Sequence, residues 1–97
     1  MTEREIYRAA LSKWGPDLQM GMAMAEAGEL IAALGRFVMQ RRDSSEEIID
    51  EIADMEIMLG QLRMIFSDDR VDVRKEMKLK RLEGRILMNS RPEGIER

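Results

Sequence analysis

The sequence predicts an all-α fold. Two of the predicted helix starts carry a serine or threonine followed three residues later by a glutamate, Thr2 before Glu5 and Ser44 before Glu47, which is the capping-box pattern. No segment shows the strict alternation of apolar and polar residues that marks a half-buried strand. Of the 97 residues, 44% are hydrophobic and 36% are charged, which is enough for one helical domain with a core and a highly charged surface.

The first two helices are separated by a short break. The first is predicted over residues 3 to 13, and it ends in the segment Trp14-Gly15-Pro16-Asp17. Pro16 suits the first turn of a second helix, because that turn has no use for a backbone donor; this helix is predicted to reach Arg41. Glycine inside a helix costs up to ~1 kcal/mol, so the glycines that recur here every seven residues predict close packing against another helix: Gly21, Gly28 and Gly35.

Two further helices complete the predicted protomer. After a break at Asp43-Ser44, the third is expected from Ser45 to Phe66, and the fourth, capped by Asp69, from Arg70 to Met88. Residues 1–90 are thus expected to form one domain resembling a four-helix bundle, and residues 91–97 a flexible tail.

The third helix is apolar on more than one side. At about 100° per residue, one stripe contains Ile48, Ile52, Met55, Leu59 and Leu62, and a second set lies well round the helix: Ile57, Met58, Met64 and Ile65. A protomer this small cannot readily cover both, which predicts a homo-oligomer, either a dimer or a tetramer. The alternative is that the second set packs on helix two.

Composition excludes several classes of site. Without histidine or cysteine there is no structural zinc site, iron–sulfur cluster, disulfide, cysteine nucleophile or Ser-His-Asp triad. Any metal must be held by oxygen ligands, which favours Mg²⁺, Mn²⁺ or Ca²⁺. The charged start and the lack of ~20 continuous apolar residues lead us to expect a soluble, cytoplasmic protein without a membrane partner, and the net charge of −3 argues against nucleic acid.

Two pairs of carboxylates stand out. Glu26 and Glu29 are the only charged residues between Leu18 and Gly35, and their spacing of three places them on one helix face. Glu51 and Asp54 repeat that spacing on the third helix. Like charges on an apolar face repel each other and resist desolvation, so each pair calls for a cation or for basic partners. If the two helices are antiparallel, all four carboxylates converge on a site for a hard cation.

The fourth helix has the opposite sign. Two functions are open for its basic side chains: local ion pairs such as Glu76 with Lys80, or phosphate binding. The basic residues between Arg70 and Arg85 are Arg70, Arg74, Lys75, Lys78, Lys80, Arg81 and Arg85.

These motifs resemble the MazG-like branch of the all-α nucleoside triphosphate pyrophosphohydrolases. The family pattern of Glu-x-x-Glu followed by Glu-x-x-Asp is met by Glu26, Glu29, Glu51 and Asp54, and the run from Lys78 through Arg81 to Arg85 is similar to the family's basic helix. The resemblance covers about residues 14–88.

The resemblance implies Mg²⁺-dependent hydrolysis of a nucleoside triphosphate to the monophosphate and pyrophosphate, with Mn²⁺ as a substitute. It implies that the four carboxylates hold the metal and serve catalysis, and that Lys78 and Arg81 bind the phosphates. Trp14 is the available aromatic residue for stacking on the base, with a core anchor as the alternative, and Gln19 is either a reader of the base edge or an exposed helix residue. A non-enzymatic helical module that binds partners through a methionine-rich face stays open as the other function.

Overall fold

The structure, a computed structural model, describes residues 1–88, which form four α-helices and no strand. They are α1 (Glu3–Trp14), α2 (Pro16–Val38), α3 (Ser45–Phe66) and α4 (Asp68–Leu87). The all-α prediction is therefore confirmed for this part of the chain, while the predicted tail, residues 91–97, lies outside it. The chain divides into two compact units, Met1–Phe66 with α1 to α3 and a second that begins at Ser67 and contains α4.

None of these four helices combines the length with the apolar character that crossing a bilayer requires.

Helix α1 begins as its sequence predicts. The Thr2 hydroxyl accepts from the Glu5 N–H and the Glu5 carboxylate accepts from the Thr2 N–H, both at 3.1 Å, which completes the capping box. The helix ends at Gly15, whose φ of +87° lies in the left-handed region that glycine adopts without a steric penalty. Pro16 then starts α2, so α1 and α2 are joined by a single residue.

Tyr7 holds α1 against α3. Its ring is buried and lies directly over Gly60, where an added Cβ would stand 2.8 Å from the ring carbon Cζ and closer still to Cε2. Its hydroxyl donates to the carboxylate of Glu3, one turn earlier on α1. The absence of a side chain at Gly60 therefore lets the Tyr7 ring pack on α3. Among the helical glycines described, Gly60 alone has a side chain within 4 Å of where its Cβ would be.

Helices α2 and α3 form an antiparallel pair and make the most extensive contact of the first unit. The direction follows from contacts that run in opposite order along the two helices: Gln19 bonds Gln61, whereas Arg36, later on α2, pairs with Glu47, earlier on α3. The buried apolar side chains of this pair are small or flexible: Ala23, Ala33 and Met58.

The turn between α2 and α3 differs in detail from the prediction. Helix α2 ends at Val38 rather than Arg41, because Arg41 has a left-handed φ of +55° and the Arg42 N–H bonds back to the Arg36 carbonyl at 3.0 Å. The Ser44 hydroxyl, predicted to cap α3 with Glu47, is buried and donates to the Ala33 carbonyl at 2.9 Å. It thereby ties the start of α3 to the last turns of α2.

The prediction that the glycines of α2 mark close helix packing is wrong for the described chain. A Cβ added to any of the three would meet no atom within 4 Å: Gly21, Gly28 and Gly35. Of the two apolar sets on α3, Met58 of the second is buried, while Ile52 and Leu59 of the first are 46% and 48% exposed. Both helices thus leave apolar surface uncovered within one chain.

Helix α4 starts two residues earlier than predicted. The Ser67 hydroxyl, rather than Asp69, caps it by accepting from the Arg70 N–H at 3.2 Å. None of its residues is buried. The predicted ion pair between Glu76 and Lys80 is confirmed, at 3.6 Å.

Candidate metal centre

Three carboxylates converge where the middle of α2 meets the first half of α3. Glu26 comes from α2, and Glu51 and Asp54 come from successive turns of α3. One oxygen of each lies within 4.8 Å of one oxygen of the other two. The two motifs, distant in sequence, thus meet because the antiparallel pair brings their helical faces together.

Glu29 borders this trio rather than joining it. Its side chain is exposed and close enough to Glu51 to help raise the pKa of that carboxyl group, but it is not one of the residues whose oxygens cluster within 4.8 Å. The structure therefore brings together three of the four predicted ligands and places the fourth beside them.

The electrostatics of the trio are unfavourable without a counter-charge. Glu26 and Glu51 are half-buried, and one oxygen of each, Oε2, is shielded from solvent and has no hydrogen-bond partner in the described part of the chain. Partial burial, followed by the proximity of the Glu26 and Glu29 carboxyl groups, raises the pKa of Glu51 from 4.5 to about 7. A carboxyl group with that pKa is one whose charged form lacks compensation.

A divalent cation bound by the trio would meet this deficit. The donor set is oxygen only, which matches the preference of Mg²⁺, Mn²⁺ and Ca²⁺ for hard ligands. The two shielded Oε2 atoms offer lone pairs that no donor among residues 1–88 uses. The separations of up to 4.8 Å are compatible with oxygens arranged around one cation with bonds of about 2.0–2.6 Å. The residues present therefore fit a hard cation.

Gln19 lies in a buried hydrogen bond between α2 and α3. It is 6% exposed, so the interpretation as an exposed helix residue is wrong, and its Nε2 donates to Gln61 Oε1 at 2.7 Å. Reading a base edge would require this amide to leave Gln61, which is itself 4% exposed. The sequence signal for Gln61 is weak: it is an uncharged polar residue on the final turns of α3, which are mostly apolar but also contain Arg63.

Trp14 is accessible. As the last residue of α1 it is 53% exposed, so the alternative of a core anchor is wrong. The ammonium group of Lys13 lies 5.3 Å from the centre of its ring, within range of a cation–π contact.

Lys78 and Arg81 are exposed residues of α4. Their spacing of three places both on one face of that helix. They belong to the second compact unit, whereas the carboxylates belong to the first.

Comparison of the chain with protein-family models, with curated proteins and with solved structures found no match.

Proposed function

We propose that the protein is a Mg²⁺-dependent nucleoside triphosphate pyrophosphohydrolase, which converts a (d)NTP or a modified NTP to the monophosphate and pyrophosphate. The observation that carries the proposal is the trio Glu26, Glu51 and Asp54, whose oxygens converge within 4.8 Å while two shielded oxygens lack partners. The choice of a nucleoside triphosphate as the substrate rests on the resemblance of the two motif helices and of the basic α4 to the MazG-like enzymes.

Glu26, Glu51 and Asp54 are the proposed cation ligands. A bound Mg²⁺ supplies electrostatic stabilisation of the negative charge that builds up on the phosphates during transfer. The three side chains come from two helices that pack against each other, so folding brings them together before a cation arrives. Such preorganisation reduces the cost of assembling the site.

Glu29 is the proposed general base. Hydrolysis forms a bond between a water oxygen and the α-phosphorus, breaks the bond to the bridging oxygen and releases pyrophosphate, and the water must give up a proton. Glu29 stands beside the trio, next to Glu51, and is exposed. A carboxylate that is adjacent to the ligands but not one of them is placed to accept that proton.

The remaining roles concern the substrate. We propose that Lys78 and Arg81 neutralise the phosphate chain, since an ammonium and a guanidinium suit phosphate oxygens. Trp14 is the proposed stacking partner of the base, because more than half of its surface is accessible. Changing Lys78 or Arg81 to glutamine is expected to raise KM more than it lowers kcat.

The test is a panel of canonical and modified NTPs with Mg²⁺, read as release of pyrophosphate and nucleoside monophosphate. Wild-type protein is expected to release both in equal amounts from at least one member, and EDTA is expected to stop it. Asp54→Asn is expected to raise the Mg²⁺ concentration that gives half-maximal activity. Glu29→Gln is expected to lower kcat with little change in that concentration. The matched control is Glu46→Gln, an exposed acid in the first turn of α3.

Inactivity across the whole panel, or full activity of Asp54→Asn, would contradict the proposal. Inactivity together with the absence of cation binding would instead favour the non-enzymatic module, in which exposed methionines such as Met24 bind a partner helix.

We also propose that the chain self-associates, as a dimer or a tetramer, through the apolar surface of α2 and α3. Each helix carries three exposed large apolar residues within an arc of about 60°: Ile31, Leu34 and Val38 on α2, and Ile52, Leu59 and Phe66 on α3. At roughly 200 Å² for a fully exposed large side chain, their exposed fractions amount to on the order of 700 Å². A standard interface buries about 800 Å² per partner, and the largest patch on a typical monomer is about 300–600 Å².

Light scattering coupled to gel filtration tests this. Wild-type protein is expected to run as a multimer, and Leu59→Glu is expected to lower its mass towards the 11.2 kDa protomer. Ile6→Glu, at an exposed position on α1, is the control and is expected to leave the mass unchanged. A wild-type monomer would contradict self-association.

A further inference from the structure

We infer that the Gln19–Gln61 hydrogen bond sets the register of α2 against α3 and thereby positions the carboxylates of the candidate metal centre. The inference rests on the proposed cation site but not on the proposed hydrolysis. Both glutamines are positioning residues in this account, because neither is a cation ligand.

The sequence spacing links the glutamine pair to the carboxylates. Gln19 precedes Glu26 by seven residues on α2, and Gln61 follows Asp54 by seven residues on α3. Seven residues are close to two helical turns, about 10.5 Å along the axis, and return to nearly the same face. In an antiparallel pair, the register that places Gln19 opposite Gln61 therefore also places Glu26 opposite Asp54.

The apolar contacts between the two helices give that register little support. The buried apolar residues of α2 and α3 are two alanines and one methionine, Ala23, Ala33 and Met58. Alanine fills a shallow site and methionine adapts its shape, so neither resists a slip of one helix past the other. The buried glutamine pair does, because a slip would leave two amides shielded and unpaired at about 1–3 kcal/mol each.

The carboxylates of the site destabilise the helix register that brings them together. Repulsion among Glu26, Glu51 and Asp54 favours separating or sliding the helices when no cation is bound. At the loop end, the Ser44–Ala33 bond ties the two helices together, and the 2.7 Å glutamine bond does so two turns beyond the carboxylates. Along the helix pair, the three carboxylates thus lie between two hydrogen bonds that join α2 to the start and to the last turns of α3. Fixing register is the best-attested use of an isolated buried polar group.

The test replaces both amides by an apolar side chain of similar length, in the double variant Gln19→Met with Gln61→Met. Removing both partners together leaves no unpaired group, so the fold is expected to persist. Register is measured in metal-free protein as the distance between nitroxides on Asp17→Cys and Glu46→Cys, two exposed positions in a chain without other cysteines. The labelled protein is diluted with unlabelled protein to suppress distances between chains. Cation affinity is measured with Mn²⁺ by electron paramagnetic resonance on the unlabelled variants.

Wild-type protein is expected to give one narrow distance distribution. The double variant is expected to keep its helical circular dichroism but to give a distribution that is broadened or displaced, since a slip of one turn moves a helix by about 5.4 Å. Its Mn²⁺ affinity is expected to fall at least ~10-fold, as for loss of a group that orients ligands. Gln61→Glu keeps an acceptor for Gln19 Nε2 and is expected to retain the wild-type distance.

A narrow, wild-type distance in the double variant would overturn the inference, whether or not Mn²⁺ binds. Loss of helical signal in the double variant would overturn it as well, because the pair would then be needed for folding rather than for register. If wild-type protein binds no Mn²⁺, the proposed function fails, and the nitroxide distances still decide the question of register.

Discussion

Replacing Gly60 by alanine tests how α1 is docked onto the helix that carries Glu51 and Asp54. In an isolated helix this change would stabilise the protein by up to ~1 kcal/mol, because alanine is the better helix former. Here the new methyl group would stand 2.8 Å from Tyr7 Cζ and 2.9 Å from Cδ2, and closer still to Cε2. The tyrosine ring must therefore move.

Displacing the ring has two costs. Overpacking a buried contact typically costs about 1–3 kcal/mol, and a ring that moves away from α3 also loses its hydrogen bond to the Glu3 carboxylate, worth about 1.5–3 kcal/mol when the partner is charged. Against the ~1 kcal/mol gained in helix propensity, we expect a net destabilisation of about 1.5–5 kcal/mol. For a domain of this size that lowers Tm by about 4–8 °C for each kcal/mol.

Thermal and urea unfolding followed by circular dichroism measure the change. Gly21→Ala is the matched control, because a Cβ there meets nothing within 4 Å, and it is expected to raise the free energy of unfolding by about 0.5–1 kcal/mol. If Gly60→Ala were as stable as Gly21→Ala, the packing of Tyr7 on α3 would be refuted.

Three further results are expected. The hydrogen bond to Glu3, together with burial, raises the pKa of Tyr7, the chain's single tyrosine, from 10 to about 12, so ultraviolet titration should show tyrosinate forming near pH 12. The contribution of this group to the free energy of unfolding is therefore fully present below pH 10 and is lost as the pH rises to 12. A titration midpoint at pH 10 would contradict this. In metal-free protein, Glu51 has a pKa of about 7, against 4.5 in the unfolded chain, so between these pH values the folded state binds a proton that the unfolded state has released. The free energy of unfolding is therefore expected to fall as the pH rises from 4.5 to 7. Urea unfolding in EDTA measures this pH dependence, which Glu51→Gln should flatten. Ser44→Ala removes the buried bond to the Ala33 carbonyl and should lower the free energy of unfolding by about 1 kcal/mol, and an unchanged urea midpoint would argue against that tie.

The helices themselves were predictable from local signals. The Thr2–Glu5 capping box and Pro16 mark starts that depend on neighbouring residues alone, and the structure begins α1 and α2 there. The ends are harder to predict, because nothing in the sequence of α2 shows that Arg41, a residue without glycine's freedom, adopts a left-handed φ of +55°.

The carboxylates were predictable for a similar reason. Charges at a spacing of three on an apolar helix are unusual enough to be noticed, and the convergence of Glu26 with Glu51 and Asp54 needs only an antiparallel hairpin. The position of Glu29 outside the trio depends on side-chain directions at the contact, which spacing does not specify.

The environments of the glutamines and glycines could not be predicted from neighbouring residues in the sequence. Whether Gln19 is exposed depends on what lies opposite, and its partner Gln61 is 42 residues away. The same holds for the glycines: among those described, Gly60, which is not part of the repeating set, lies against the Tyr7 ring, while the set spaced by seven has open space around it.

Calorimetric titration of the metal-free protein with Mg²⁺ tests most directly whether Glu26, Glu51 and Asp54 hold a divalent cation. Wild-type protein is expected to show saturable binding, and Mg²⁺ at 100 times Kd should raise the free energy of unfolding by about 2.7 kcal/mol. Glu51→Gln should lose both effects and the control Glu46→Gln should keep them. No saturable heat from wild-type protein, or equal binding by Glu51→Gln, would contradict the cation site and the function proposed from it.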